Sequence, residues 1–162
     1  MSESDTSLHV LIGEREHVED VQGATPDRVI AELLEFMSQT EGFAAEAITS
    51  MKKAILARER EATTGIGNGV AVPHLKNCAY VKKIRGIFGR SVQGVDWGAT
   101  DGEPVHLFFV ILTPQGQESQ HIRVMKRIVR LSRDTKTLRY LTQTDNFANL
   151  HEILKEVDDQ PD

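Results

Sequence analysis

Between Thr25 and Ile55 apolar residues recur at helical spacing in two blocks. In the first, Val29, Ile30, Leu33, Leu34 and Met37 fall on one face, which predicts a helix with one buried side. Thr25-Pro26-Asp27 supplies its start: threonine caps a free N–H, proline suits the first turn, and an acid is favoured at the positive helix end. Gly42 breaks it. The second block, with Ala44, Ala47, Ile48, Met51, Ala54 and Ile55 inward, predicts another helix that runs into the charged residues 58–61. The pattern then changes. Three glycines alternate with other residues through Gly65-Ile66-Gly67-Asn68-Gly69, and Val70-Ala71-Val72 suits a short buried strand. Pro73 cannot donate to a ladder, so it is expected to end the strand and leave His74 at the sheet's rim.

Beyond the polar Lys76-Asn77, the run Ile84-Arg85-Gly86-Ile87-Phe88-Gly89 predicts a strand whose glycines allow close packing. Residues 94–97 predict a short pairing segment, and Asp101-Gly102 is a turn signal. Residues 105–112 are apolar on both alternations, as expected of a central strand covered by helices on each side. The fold class is therefore α/β (α+β), a three-layer α/β/α sandwich. After Pro114 and Gly116 the helical pattern resumes near Glu118, with Ile122, Met125, Ile128 and Val129 on one side. Asp134, Thr135 and Thr137 mark a break, and Asp145 is expected to cap a last helix carrying Phe147, Leu150, Ile153, Leu154 and Val157. Residues 8–12 and 18–21 suggest a short strand or irregular lead-in. Residues 1–8 are expected to be disordered, 9–157 to form a single domain, and 158–162 to be a flexible tail.

Composition narrows the possible functions. A length of 162 residues suits one domain with a real core, and 40% hydrophobic content is ordinary for a soluble protein. A net charge of -5 argues against a nucleic-acid or anionic-membrane binder. No apolar run approaches a membrane-spanning length, and Met1-Ser2-Glu3-Ser4-Asp5 lacks the order of a signal peptide, so a cytoplasmic location is expected. The one cysteine, Cys78, fits a reducing compartment; it sits in a polar connection without a glycine-rich anion loop, which argues against a phosphate-accepting thiolate.

The chemistry concentrates at His74. Imidazole is a nucleophile at neutral pH, and glycine amides, hydroxyls and an arginine nearby are groups that hold an anion. Taken singly, Gly65, Gly67 and Gly69 need only build a turn, and His74 need only be a hydrogen-bonded structural residue. The loop precedes a strand and no Gly-Lys-Ser/Thr follows, so ATP is not implied. His74 and His121 lack further ligands at a recognisable metal spacing, and no metal or cofactor is expected.

The run from Arg58-Glu59 through Thr64-Gly65-Ile66-Gly67-Asn68-Gly69 to Ala71-Val72-Pro73-His74 resembles the phosphorylation-site signature of the fructose/mannitol/nitrogen-regulatory group of phosphotransferase-system (PTS) IIA proteins. Pro104-Val105-His106-Leu107-Phe108-Phe109, then Pro114, His121-Ile122 and Met125, resembles that family's later strand, loop and second active-site histidine. The likeness spans roughly residues 10–155 and implies a central mixed sheet of about five strands. It also implies that His74 accepts a phosphoryl group on Nε2 from the phosphohistidine of HPr or an NPr-type carrier. His121 would stabilise that group, Arg58 neutralise it, and Thr64 with the amides of Gly65, Gly67 and Gly69 orient it. Leu75 departs from the small residue usual after the histidine and is expected to crowd the docking surface.

The Thr-Gly-Ile-Gly-Asn-Gly run is most like the nitrogen-regulatory branch, which implies a regulatory IIA with protein targets. The alternatives are a sugar-specific IIA passing phosphate to a IIB cysteine during uptake, and an interaction module that no longer carries phosphate. Neither nucleic acid nor membrane insertion is expected. The helix after His121 bears Arg123, Lys126, Arg127, Arg130 and Arg133, expected as a solvated outer face or, in a sharper reading, a docking stripe for an acidic partner. His106 reads as structural though close to the rim, and His9, His17 and His151 carry no motif.

Overall fold

The computed structural model describes residues 6–12 and 15–161. Its elements in chain order are α1 (Leu8–Ile12), β1 (His17–Val18), α2 (Pro26–Glu41), α3 (Ala45–Glu61), β2 (Gly65–Gly67), β3 (Val70–Ala71) and β4 (His74–Leu75). They continue with β5 (Arg85–Val95), β6 (Val105–Leu112), α4 (Glu118–Ser132), α5 (Thr135–Gln143) and α6 (Leu150–Asp158). The largely apolar β6 is the sheet's centre. It pairs antiparallel with β5 and parallel with β3 and β4, giving the order β1-β5-β6-β3-β2 with β4 also on β6.

Both faces of β6 are covered, which is why it is apolar on both alternations from Leu107 to Leu112. Phe108, Val110 and Leu112 pack into the core formed with α2 and α3. Leu107, Phe109 and Ile111 pack into the opposite core with α1, α4, α5 and α6. This is the expected three-layer sandwich with a mixed sheet. The caps of α2 also agree with the sequence: Thr25 Oγ1 accepts the Arg28 N–H at 3.3 Å, and Gly42 ends the helix at φ 70, its N–H donating to Ser38 O.

The expectation that Pro73 ends the strand is corrected. Val70 pairs with Leu107 and His74 with Ile111, the same register on either side of the proline, so β3 and β4 are one strand interrupted at Pro73. Proline removes a donor but keeps its acceptor, and Pro73 O takes the Ile111 N–H at 3.1 Å. His74 thus lies within the ladder, one pair before its end at Leu75 and Leu112.

The chain ends also depart from expectation. Residues 6–8 are not disordered: Thr6 and Leu8 are fully buried, and Leu8 begins a helix where a strand or irregular lead-in was expected. A five-residue helix has little stability alone. Here Asp158 holds it, its carboxylate accepting the Leu8 and His9 N–H groups at 2.8 and 3.0 Å and lying 2.5 Å from His9 Nδ1. Asp158 is therefore a clamp between the two ends and no part of a frayed tail. Residues 1–5 lie outside the described residues. The cap of the last helix is corrected too: Asn149 precedes α6, and Asp145 is an exposed residue before Phe147.

Close packing explains one glycine directly. A Cβ on Gly65 would stand 2.7 Å from Ala99 Cβ and 2.8 Å from Ala99 Cα. The second contact is to backbone, so no rotamer change relieves it. Gly65→Ala should therefore destabilise the protein by about 2 kcal/mol and lower the thermal midpoint by roughly 6 °C. An unchanged midpoint in thermal unfolding would show that the loop at Ala99 yields freely.

Candidate active site

Three elements converge beside β4. The last turn of α3 carries Arg58, whose Nη1 donates to Ala62 O at 2.9 Å and so holds the guanidinium at a negative helix end. β4 carries His74, 6% exposed, with Nδ1 2.8 Å from Val72 O. A carbonyl can only accept, so neutral His74 keeps its hydrogen on Nδ1 and its lone pair on Nε2. The first turn of α4 carries His121, 3% exposed, whose Nδ1 lies 2.7 Å from Thr113 Oγ1. The two imidazole ring centres are 5.2 Å apart.

Both histidines line a cleft of about 650 Å³ together with Arg58, Lys76, Lys126, Arg130 and Arg133. Its apolar lining is Ile122, Met125 and Val129. Of the four residues expected on one side of α4, Ile128 alone is fully enclosed. His121, Val124, Ile128 and Leu131 turn into the protein, whereas Ile122 is 54% exposed and Met125 and Val129 are half-buried. The sequence offers two adjoining apolar stripes, and only packing against β6 decides which is core.

Burial lowers the His74 pKa from 6.5; the Val72 hydrogen bond opposes that effect, and positive Arg58 and Lys76 reinforce it. His121 is lowered to about 4, first by burial and then by His74 and Lys76. Both rings are therefore neutral at pH 7, as a nucleophile and a neutral hydrogen-bond donor require. With folded values below 6.5, the unfolded chain takes up these protons first as pH falls. Their contribution to stability is complete above pH 6.5 and is lost as pH drops toward about 4. Denaturant unfolding at a series of pH values should show a loss on the order of 2 kcal/mol from His121, flattened in His121→Gln. Equal stability of wild type at pH 7 and 4 would contradict it.

The glycine run lies elsewhere in the site's architecture. Gly65 and Gly67 are in β2, and Asn68-Gly69 turns the chain with φ values of 56 and 77, the handedness a two-residue hairpin needs. Thr64, Gly65, Gly67 and Gly69 do not line the cleft. Thr64 gives its N–H, at 2.9 Å, and its hydroxyl to Glu59, while its carbonyl takes the Val72 N–H at 3.1 Å. The hairpin thus reaches His74 through Val72, the residue whose carbonyl holds the imidazole. Lys76 and Thr113, which both touch this chemistry, carried no signal in the sequence beyond a polar run and the end of an apolar strand.

Several other expectations change. Arg127 is 7% exposed, donates from Nη1 to Thr6 Oγ1 at 2.7 Å and approaches Asp158, so it belongs to neither a solvated face nor a docking stripe. Arg130 lines the cleft but also donates to the carbonyls of Val157 and Gln160. Leu75 packs toward the core of α2 and α3 and does not line the cleft, because successive strand residues point to opposite faces. Cys78 lies in the connection between β4 and β5 but is buried there, 3% exposed, and burial raises its pKa away from the reactive thiolate. His106 is tied to Ser91 O at 2.9 Å. His9, His17 and His151 lie away from the cleft. Among the described residues no group of three or more His, Cys, Asp or Glu is placed to hold a metal ion, and no helix is long and apolar enough to cross a membrane.

The mixed three-layer fold is that of PTS IIA proteins, and here it carries a buried histidine pair at a cationic, partly apolar cleft. The sequence profile described as "Phosphoenolpyruvate-dependent sugar phosphotransferase system, EIIA 2" matches residues 14–157, and the chain belongs to that family. It is 36% identical over 100 residues to a nitrogen regulatory protein of Bradyrhizobium diazoefficiens, covering 62% of this chain and 65% of that one. It is 34% identical over 107 residues to the PTS system fructose-specific EIIABC component of Bacillus subtilis, covering 66% of this chain and 17% of that one. The chain therefore matches less than two thirds of either relative's length. Among solved structures it is similar to nitrogen regulatory protein IIA-Ntr from Neisseria meningitidis, with a TM-score of 0.79, 26% identity and coverage of 91% of this chain and 98% of that one.

Proposed function

We propose that this chain is a phosphocarrier, taking a phosphoryl group onto Nε2 of His74 from the phosphohistidine of an HPr- or NPr-type protein. The observation that carries this reading is the Nδ1 to Val72 O bond, which leaves the Nε2 lone pair of a neutral ring for attack. In the transfer, Nε2 forms the new P–N bond as the donor's P–N bond breaks, and that electron pair returns to the donor ring. His74 keeps its Nδ1 hydrogen throughout. No general base is needed, so catalysis rests on positioning and charge.

Arg58 and Lys76 supply positive charge beside the accepting ring. His121 donates a hydrogen bond to a phosphoryl oxygen, and the amino end of α4 adds partial positive charge. Ile122, Met125 and Val129 form the apolar part of the surface a donor covers, with the cleft's cations around it. The branch we favour is regulatory, supported by the Thr-Gly-Ile-Gly-Asn-Gly run and by the likeness to the Neisseria protein. The likeness to the fructose-specific component supports the second reading, transfer onward to a IIB cysteine.

The test is phosphate transfer from phosphoenolpyruvate through purified enzyme I and HPr or NPr, followed by intact mass under non-acidic conditions. One added phosphate on the wild type is expected. Its absence with both donors would leave the fold as an interaction module. Passing the phosphorylated protein to purified IIB proteins separates the branches: retention of phosphate supports the regulatory reading, and rapid loss to a IIB cysteine the transport one.

A further inference from the structure

We propose that Thr113 is a positioning residue that sets the tautomer of His121, its hydroxyl donating to Nδ1 so that Nε2 carries the hydrogen offered to the phosphoryl group. The proposal rests on the phosphocarrier reading for its purpose, but the polarity of the hydrogen bond is measurable without it.

Thr113 follows the last residue of β6 and is held on both sides of its peptide. Its N–H donates to Leu75 O at 2.9 Å, and its carbonyl accepts the Cys78 N–H at 2.9 Å. With 2% exposure its side chain has little room, and only the hydroxyl rotor is free to choose. The same Leu75 carbonyl belongs to the residue after His74, so the strand that carries the acceptor also fixes the residue that holds its neighbour. The separation of the two rings, 5.2 Å between centres, is thereby tied to one stretch of ladder.

The two histidines are held in chemically different ways. His74 Nδ1 meets a carbonyl, which accepts only, and its tautomer follows at once. His121 Nδ1 meets a hydroxyl, which donates or accepts, so that contact alone is compatible with either tautomer. The cleft side decides. Were the His121 hydrogen on Nδ1, its Nε2 lone pair would face the cleft where His74 also presents a lone pair. An incoming phosphoryl oxygen would bring further negative charge to the same place. With Thr113 as donor, Nε2–H faces that oxygen and no lone pair is opposed. Lowered basicity keeps His121 neutral, so it has one ring hydrogen to place, and its position matters.

The experiment uses protein labelled with ¹⁵N-histidine and compares wild type, Thr113→Val and Thr113→Ser. Long-range ¹H–¹⁵N correlation spectra at neutral pH identify the His121 tautomer, and transfer from a phosphorylated carrier gives the rate. Wild type and Thr113→Ser should show the Nε2–H form. Thr113→Val, which keeps the shape and removes the hydroxyl, should lose that preference and slow transfer by about tenfold or more, with rescue by serine. An Nδ1–H tautomer in wild type overturns the proposal at any transfer rate, and so does wild-type transfer by Thr113→Val. Should Thr113→Val fail to fold, the wild-type and serine spectra still decide the hydrogen-bond polarity. Failure of wild type to accept phosphate from any carrier while showing Nε2–H overturns the phosphocarrier reading and, with it, the purpose assigned to Thr113.

Discussion

His74→Ala should gain no phosphate under conditions in which the wild type gains one. Nothing else in the cleft replaces the lost nucleophile. His121 has its Nδ1 engaged by Thr113, its pKa is lowered to about 4, and on the proposed tautomer its Nε2 bears hydrogen where His74 has a lone pair. Cys78 is buried with a raised pKa. The loss should therefore be complete, in contrast to the graded losses expected when a stabilising group is removed. Folding is not the reason to expect it: the His74 side chain makes one backbone hydrogen bond, and a replacement such as His74→Gln should leave circular dichroism and the thermal midpoint near wild type. Intact mass of wild type and both variants after incubation with the phosphorylated carrier is the measurement. Phosphate on either variant would move the acceptor away from His74.

His121→Ala should slow phosphoryl transfer by about 10²- to 10³-fold while leaving acceptance at His74 detectable at long times. That range is typical for removing one preorganised donor aimed at charge developing in the transition state. Substitution also opens a buried space beside Thr113, so the change in rate is a difference and not a partition. The effect should fall on the rate of transfer in the bound complex more than on carrier affinity, because Ile122, Met125 and Val129 remain to be covered. Single-turnover rates measured across carrier concentrations separate the two. Wild-type rates at saturating carrier would remove His121 from the chemistry.

Much of the fold was legible because its signals are local. Helical spacing from Val29 to Met37, the Thr25 cap and the Gly42 stop depend on neighbours along the chain, and each is where the pattern places it. The central strand was legible for a related reason, since a run apolar on both alternations requires cover on both faces. The interruption at Pro73 was misread because proline's local rule concerns its own missing donor. Whether pairing resumes afterwards depends on β6, a strand more than thirty residues away.

The candidate site divides along the same line. Residue types and order identify His74, His121 and Arg58 as the chemically capable groups, and the glycine run marks a turn before the accepting strand. That much the sequence determined by itself, together with the layer architecture and the family. Only the tertiary structure decided that the glycine hairpin acts through Val72, that Lys76 joins Arg58 as a second cation, and that Leu75 turns away from the cleft. It alone also decided that Arg127 and Asp158 lock the chain's ends together. Each of these depends on which face of a strand or helix meets a partner distant in sequence. Periodicity reports that a face exists, whereas the packing of the layers selects which residues are enclosed and which are left at the cleft.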